Sequence, residues 1–148
     1  MLPSVATVYA ELSDTFGQAR RILAAAGPDQ LNRKPGADFN SPYAIGMHMA
    51  GSLKWWVGQV LAGRDVQRDR EGEFRATGDD VGIVFQEMDH ALALAQEVFE
   101  TVTVELLLET RPVRERTVTV EYIIVHVLQH SAIHLGHLEM TQQLGTAA

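Results

Sequence analysis

Hydrophobic side chains recur three or four positions apart in four segments of the chain, the spacing that places them on one face of an α-helix. The segments cover residues 4–26, 41–63, about 79–99 and 119–144. Ser41 and Pro42 suit the N-cap and first residue of the second helix, and Gly27 with Pro28 ends the first. The pattern predicts an all-α protein, a four-helix bundle with long crossover connections, in one domain over residues 1–148.

Two of the connections are long and differ in character. Residues 63–78 (GRDVQRDREGEFRATG) are charged and interrupted by glycine, which predicts a loop that crosses the bundle. Its charged side chains are interpreted as solvated: Arg68, Asp69, Arg70, Glu71 and Glu73. Residues 103–119 contain β-branched runs around TRPV, which predict an irregular excursion or a short hairpin. The charged tip RPVRER, residues 111–116, receives no binding role.

Composition limits the classes of function. The chain has 148 residues, 46% of them hydrophobic and 21% charged, which is typical of a globular protein. A net charge of -7 and scattered basic residues argue against binding to nucleic acid. The chain has no cysteine, which rules out disulfides, thiolate metal ligands and a cysteine nucleophile. Because we find neither a signal-peptide pattern nor an apolar run long enough to span a bilayer, we expect a cytoplasmic protein with no membrane partner.

Four of the six histidines lie in one segment, HVLQHSAIHLGHLEM, residues 126–140. Each residue of an α-helix advances by roughly 100°, so His130, His134 and His137 lie at roughly 40°, 80° and 20° from His126. The four imidazoles therefore share one stripe of the last predicted helix. We expect this stripe to face the bundle interior, where a buried imidazole needs a partner and a metal ion supplies one.

Two histidine pairs have the i, i+4 spacing that lets two imidazoles bind one divalent ion, and both contain His130. The partner is His126 in one pair and His134 in the other. A third ligand must come from another helix: His48 is expected to point inward and His90 to lie on the surface. The histidines alone leave zinc, nickel, iron and manganese open. They also leave open a polar core network that binds no metal.

Trp55 and Trp56 are adjacent in the second predicted helix, so their side chains point about 100° apart. One is expected in the core, and the other could line a pocket or a dimer face. Trp55 lies two turns beyond His48 on the same side, which makes it the candidate for the pocket wall.

Three motifs resemble those of the DinB/YfiT-like superfamily of metal-binding four-helix bundles. HSAIHLGH (residues 130–137) resembles the H-x-x-x-H-x-G-[QH] signature of its last helix. NSPYAIGMHMAGSLKWWVGQVLAG (residues 40–63) is similar to its second helix, and RDREGEF (residues 68–74) to the DR-x-x-EF stretch of one branch. The resemblance covers residues 31–74 and 117–144; elsewhere only the helical periodicity agrees.

The resemblance implies a divalent metal ion held by His48, His130 and His134, so that the family pattern selects the second of the two pairs. His126 and His137 would then support the site from outside the ligand set. Further expectations follow for three other residues. Gly136 would let a neighbouring helix approach the site closely, and Arg70 or Glu73 would fix the charged loop near it.

The same resemblance implies an enzyme that uses a low-molecular-weight thiol such as bacillithiol or mycothiol, with the thiol activated at an open metal position. A thiol-dependent S-transferase is the leading form. A variant is hydrolysis by metal-bound water, with Glu139 or His137 as proton acceptor. The alternative function is a non-catalytic metal-binding stress-response protein whose metal is structural. A homodimer and a small-molecule substrate are the expected partners.

Overall fold

The computed structural model describes residues 1–146. Its elements are, in order, α1 (Pro3–Ala25), α2 (Pro28–Leu31), α3 (Pro42–Lys54), a π-helical segment (Trp55–Leu61), α4 (Arg70–Arg75), α5 (Gly82–Glu100), α6 (Val104–Leu108), β1 (Thr110–Val113), β2 (Arg116–Thr119) and α7 (Val120–Thr146). With 71% helix and one small two-stranded sheet, the predicted all-α class is confirmed. The one-domain interpretation stays a prediction.

The four long helices pack in a ring: α1 contacts α7 and α5, and α3 contacts the same two helices from the opposite side. One continuous cluster of buried hydrophobic side chains fills the space between them. Members with no exposed surface come from all four helices: Leu12, Phe16, Met49, Met88, Phe99 and Ile123. Within residues 1–146, no helix combines the length and apolar character needed to cross a membrane.

The second long helix begins as its sequence predicts and ends differently. Ser41 Oγ accepts a hydrogen bond from the backbone N–H of Ala44 at 3.2 Å, and Pro42 follows as the first helical residue. From Trp55 the helix widens into the π-helical segment, where the N–H of Ala62 bonds to the carbonyl of Val57 at 3.1 Å, five residues back. A π turn takes up one more residue than an α turn, so side chains beyond it face directions that α-helical spacing does not predict.

The connection over residues 63–78 contains a helix, and the prediction of a uniformly solvated loop is wrong there. Asp69 caps α4 by accepting a hydrogen bond from the N–H of Gly72 at 2.9 Å. Asp69, Arg70 and Glu71 are exposed as expected, whereas Glu73 is buried. The side chain of Arg68 is only 12% exposed. Arg68 and Glu73 form an ion pair, and their burial is tolerated because each charge offsets the other.

Of the two forms predicted for residues 103–119, an irregular excursion or a short hairpin, the structure has the hairpin, with α6 preceding it. Val113 pairs with Arg116, which leaves a two-residue turn at Arg114 and Glu115. Arg111 Nε donates a hydrogen bond to the carbonyl of Leu61 at 3.2 Å and so ties the hairpin to the end of the π-helical segment. The hairpin thereby extends from the base of α7 toward the second long helix.

Candidate metal centre

Three histidines from two helices converge inside the bundle. His48 belongs to α3, and His130 and His134 lie one turn apart on α7. One ring nitrogen from each lies within 4.8 Å of the other two. The Nε2 atoms of His130 and His134 are 3.2 Å apart, and the ring of His48 lies 4.6 Å from that of His134. The structure thus brings together the residues selected from the sequence.

A carboxylate fixes the orientation of His48. The imidazole is 3% exposed, and its Nδ1–H donates a hydrogen bond to Glu73 Oε2 at 2.9 Å. An ionised carboxylate only accepts hydrogen bonds, so the proton resides on Nδ1 and the Nε2 lone pair is left for a ligand. Arg68 in turn holds Glu73 with two bonds, from Nε to Oε1 at 2.7 Å and from Nη2 to Oε2 at 2.9 Å. The result is a buried Arg68–Glu73–His48 chain.

The Glu73 carboxyl group remains charged in this environment. Burial raises its pKa, but the hydrogen bonds from Arg68 and His48 outweigh burial and leave the pKa below its usual value. The close approach of this carboxylate to α3 requires Gly51, because a Cβ there would lie 2.6 Å from the Glu73 carboxyl carbon. The sequence pattern did not predict the roles of Arg68 and Gly51; the family-like stretch pointed only to Arg70 or Glu73.

The two histidines of α7 are neutral at physiological pH. Burial lowers the pKa of His130 to about 4 and that of His134 to about 3, with smaller contributions from neighbouring imidazoles and from Arg70. Neutral imidazole is the form that binds metal ions, and three nitrogen donors suit a divalent transition metal. The three histidines could therefore hold such an ion.

A cleft of about 730 Å³ opens beside the histidine cluster. It is lined by the second long helix, by α4, by the hairpin turn and by α7. Trp55 lines it as expected, and Trp56 is buried in the core, as expected for one of the two tryptophans, and also borders the cleft.

The two remaining histidines of α7 flank the cluster. The ring of His126 lies 4.5 Å from that of Trp56, 5.4 Å from that of Tyr122 and 5.8 Å from that of His130. The ring of His137 lies 5.3 Å from that of His134 and is exposed. Both line the cleft. Their supporting roles stay predictions.

Three other expectations meet different outcomes. His90 is exposed on α5, as expected. Glu139 is exposed and does not line the cleft, so it is not placed to serve as the proton acceptor of the hydrolytic variant. The expectation for Gly136 is wrong within this chain: a Cβ built there meets nothing within 4 Å across the described residues, so no neighbouring helix approaches it. Gly136 lies on a partly solvent-facing part of α7, where nothing packs.

A four-helix bundle with a histidine cluster between its second and last long helices defines a DinB/YfiT-like protein. A family model described as mycothiol-S-transferase matches residues 7–145. The chain therefore belongs to the mycothiol-S-transferase family, a DinB/YfiT-like family, and the resemblance found in the motifs is confirmed.

Three solved chains also match. One is described as a conserved protein from Enterococcus faecalis; it is 15% identical, the match covers 100% of both chains, and the TM-score is 0.80. At that identity the likeness shows the fold alone, and it agrees with the bundle described above. No curated protein sequence matches the chain.

Proposed function

We infer that this protein is a metal-dependent thiol S-transferase that uses mycothiol or a related low-molecular-weight thiol. His48, His130 and His134 are the proposed metal ligands. The observation that carries the proposal is the convergence of three imidazole nitrogens beside an open cleft, in a chain of the mycothiol-S-transferase family. Zinc, nickel, iron and manganese all accept such a ligand set.

A divalent ion at this position would lower the pKa of a thiol bound to it and so favour the thiolate at neutral pH. The chain itself contains no cysteine, which suits a reaction whose sulfur nucleophile arrives with the substrate. The Arg68–Glu73–His48 chain keeps the His48 ring in one orientation and in one tautomer. The cleft gives the thiol and a second, electrophilic substrate room to meet.

His126 is the proposed acceptor for the proton that the thiol loses. It lines the cleft next to the cluster without belonging to the proposed ligand set. Burial, helped by the charge of Arg116, lowers its pKa, so the imidazole is neutral at pH 7 and able to accept a proton.

Metal analysis and a thiol-consumption assay on the same preparation test the proposal. We expect about one divalent ion per chain and faster alkylation of mycothiol by iodoacetamide in the presence of the protein. Replacing His130 with Gln should abolish both results, whereas the matched control His90→Gln, on the exposed face of α5, should leave both unchanged. Full metal content and turnover in His130→Gln would contradict the proposal.

The alternative, a metal with a purely structural role, makes a different prediction for the same experiment. A chelator would lower the melting temperature, but no thiol would be consumed with any electrophile. The open cleft beside the cluster favours catalysis, because a purely structural site is usually closed by a fourth protein ligand. Homodimer formation stays a prediction, which light scattering of the purified protein tests.

A further inference from the structure

The basic side chains of this acidic protein are distributed unevenly. Within residues 1–146, half of the twelve basic residues form ion pairs with carboxylates: Arg20, Lys54, Arg64, Arg68, Arg75 and Arg111. Of the other six, three line the cleft beside the histidine cluster: Arg70, Arg114 and Arg116. The cleft therefore collects positive charge in a chain whose net charge is -7.

Two of these arginines are held in place without being neutralised. The guanidinium of Arg70 lies 5.1 Å from the ring centre of Phe74, which itself stacks on His48. The guanidinium of Arg116 lies 5.2 Å from the ring centre of Tyr122 and donates a hydrogen bond to its hydroxyl at 3.2 Å. An aromatic face orients a guanidinium but carries no counter-charge, so both retain their full attraction for an anion.

The third arginine occupies a backbone position that disfavours it. Arg114 has φ 55°, in the left-handed region where a side chain crowds the backbone and glycine is the ordinary choice. It lies in the two-residue turn of the hairpin, next to Glu115, the one carboxylate that lines this cleft among the described residues. A side chain at this position costs backbone strain, which marks Arg114 as a candidate for a functional role.

The three arginines that line the cleft come from two separate elements. Arg70 belongs to α4, and Arg114 and Arg116 belong to the hairpin. Arg70 lies over Phe74, whose ring stacks on His48, and Arg116 lies over Tyr122, whose ring stacks on His126, so positive charge borders the histidines from two different elements. Arg68, although it also lines the cleft, is committed to Glu73.

We propose that the electrophilic second substrate carries a carboxylate, which Arg70, Arg114 and Arg116 bind while its reactive carbon faces the histidine cluster. This rests on the proposed function. In the reaction the thiol sulfur forms a bond to that carbon, the bond to the leaving group breaks with its electron pair, and the thiol proton is released. For a haloacetate the balance is RSH + X–CH2–COO⁻ → RS–CH2–COO⁻ + H⁺ + X⁻. Planar guanidinium groups match the two oxygens of a carboxylate, and the acidic remainder of the surface makes this cleft the favoured place for it.

A binding experiment tests the anion site directly on the zinc-loaded protein of 148 residues. The two tryptophans of the chain both line the cleft, so intrinsic fluorescence reports its occupancy. Succinate and its uncharged diamide, succinamide, are the matched probes. We expect a saturable change with succinate only, and an apparent Kd at least fivefold weaker in Arg70→Gln and in Arg114→Gly.

Two controls separate loss of binding from loss of fold. Arg21→Gln removes an exposed arginine of α1 outside the cleft and should leave the succinate Kd unchanged. Arg114→Gly removes the strained backbone, so its melting temperature should rise while succinate binding weakens. Equal responses to succinate and succinamide, or unchanged binding in both cleft variants, would overturn the proposal.

A turnover experiment with mycothiol then compares iodoacetate with iodoacetamide, which differ in charge and little in size. Each kcat/KM is divided by the uncatalysed rate constant. We expect Arg114→Gly to reduce the iodoacetate value at least fivefold more than the iodoacetamide value, and Arg21→Gln to change neither. Equal losses for the two electrophiles would count against the proposal.

The two experiments separate failure of this proposal from failure of the proposed function. Arginine-dependent succinate binding without any thiol consumption would leave the anion site standing and reject the transferase. Thiol consumption with iodoacetamide, without succinate binding and without a preference for the charged electrophile, would support the transferase and reject the carboxylate-bearing substrate.

Discussion

Gly51 and Glu73 approach each other so closely that no side chain fits between them. A Cβ on Gly51 would lie 2.6 Å from the Glu73 carboxyl carbon, inside van der Waals contact. The carboxylate cannot simply move aside, because both of its oxygens accept hydrogen bonds, from Arg68 at Oε1 and from Arg68 and His48 at Oε2. The absence of one side chain on α3 is therefore a condition for the orientation of His48.

Replacing Gly51 with Ala should lower the free energy of unfolding of the protein. The methyl group would displace a buried carboxylate from its partners, at a cost of about 1–3 kcal/mol in the free energy of unfolding. Urea denaturation measures the effect. Gly136→Ala is the matched control: it is also a helical glycine, but its new Cβ meets nothing within 4 Å, so it should stabilise by about 0.5–1 kcal/mol. Equal effects of the two substitutions would refute the close contact at Gly51.

Replacing Glu73 with Gln should weaken metal binding without removing a proposed ligand. The amide can no longer accept two charged hydrogen bonds from Arg68. It can also donate from its NH2 group to Nδ1 of His48, which favours the tautomer with the proton on Nε2 and so removes the lone pair that would bind the metal. We expect metal affinity to fall about 10–100-fold, as measured by competition with a chelator. Glu71→Gln, on the exposed side of the same short helix, provides the control. Unchanged affinity in Glu73→Gln would show that the carboxylate does not orient the site.

The stability of the metal-free protein should decline as the pH falls. His130 and His134 have pKa values of about 4 and about 3 in the folded chain, against about 6.5 when unfolded. The unfolded state therefore binds more protons below pH 6.5, and stability is lost as the pH falls through that window, by up to about 1.4 kcal/mol per pH unit for each imidazole.

Urea denaturation at pH 7, 6 and 5 with a chelator present measures this loss. This pH range lies above the ordinary pKa of a glutamate, about 4.3. Because the pKa of Glu73 is lowered, the stability that its ionised carboxylate contributes is lost only at a still lower pH. His134→Gln should flatten the profile, while His90→Gln should not. A flat profile in the unmodified protein would mean that the two imidazoles are more accessible to water than the structure shows.

Replacing His126 with Asn should slow turnover and leave metal content intact. Loss of a positioned proton acceptor typically costs about 10²–10⁴-fold in rate. We expect kcat to fall by about 10² at pH 7 and to recover partly as the pH is raised, because more of the thiol then ionises without help. A loss of bound metal in this variant would instead assign His126 to the ligand set.

Much of the fold and the three-histidine cluster follow from local sequence pattern. Helical periodicity and the cap at Ser41 locate the long helices, and the i, i+4 spacing of His130 and His134 is a property of one helix. The third histidine lies on a different helix, so the spacing within α7 could not identify it. The family resemblance selected His48.

The rest depended on contacts between distant residues. Glu73 looks like a solvated charge until Arg68 and His48 are placed around it, and no periodicity marks a buried ion pair. The tip at Arg114 and Arg116 has the composition of an ordinary exposed turn. Only the folding of the hairpin against α7 and the second long helix brings its guanidinium groups to the cleft.

The π-helical segment at Trp55–Leu61 makes the shape of the cleft sensitive to chain length as well as to side-chain chemistry. Losing one residue there would restore α-helical winding and turn the end of the helix by about 100°. The Leu61 carbonyl, which holds Arg111, would turn with it, and the hairpin would lose its anchor. Deletion of one codon would thus change which substrates the cleft admits without replacing any histidine. Comparisons of related sequences that consider only substitutions would miss such a change.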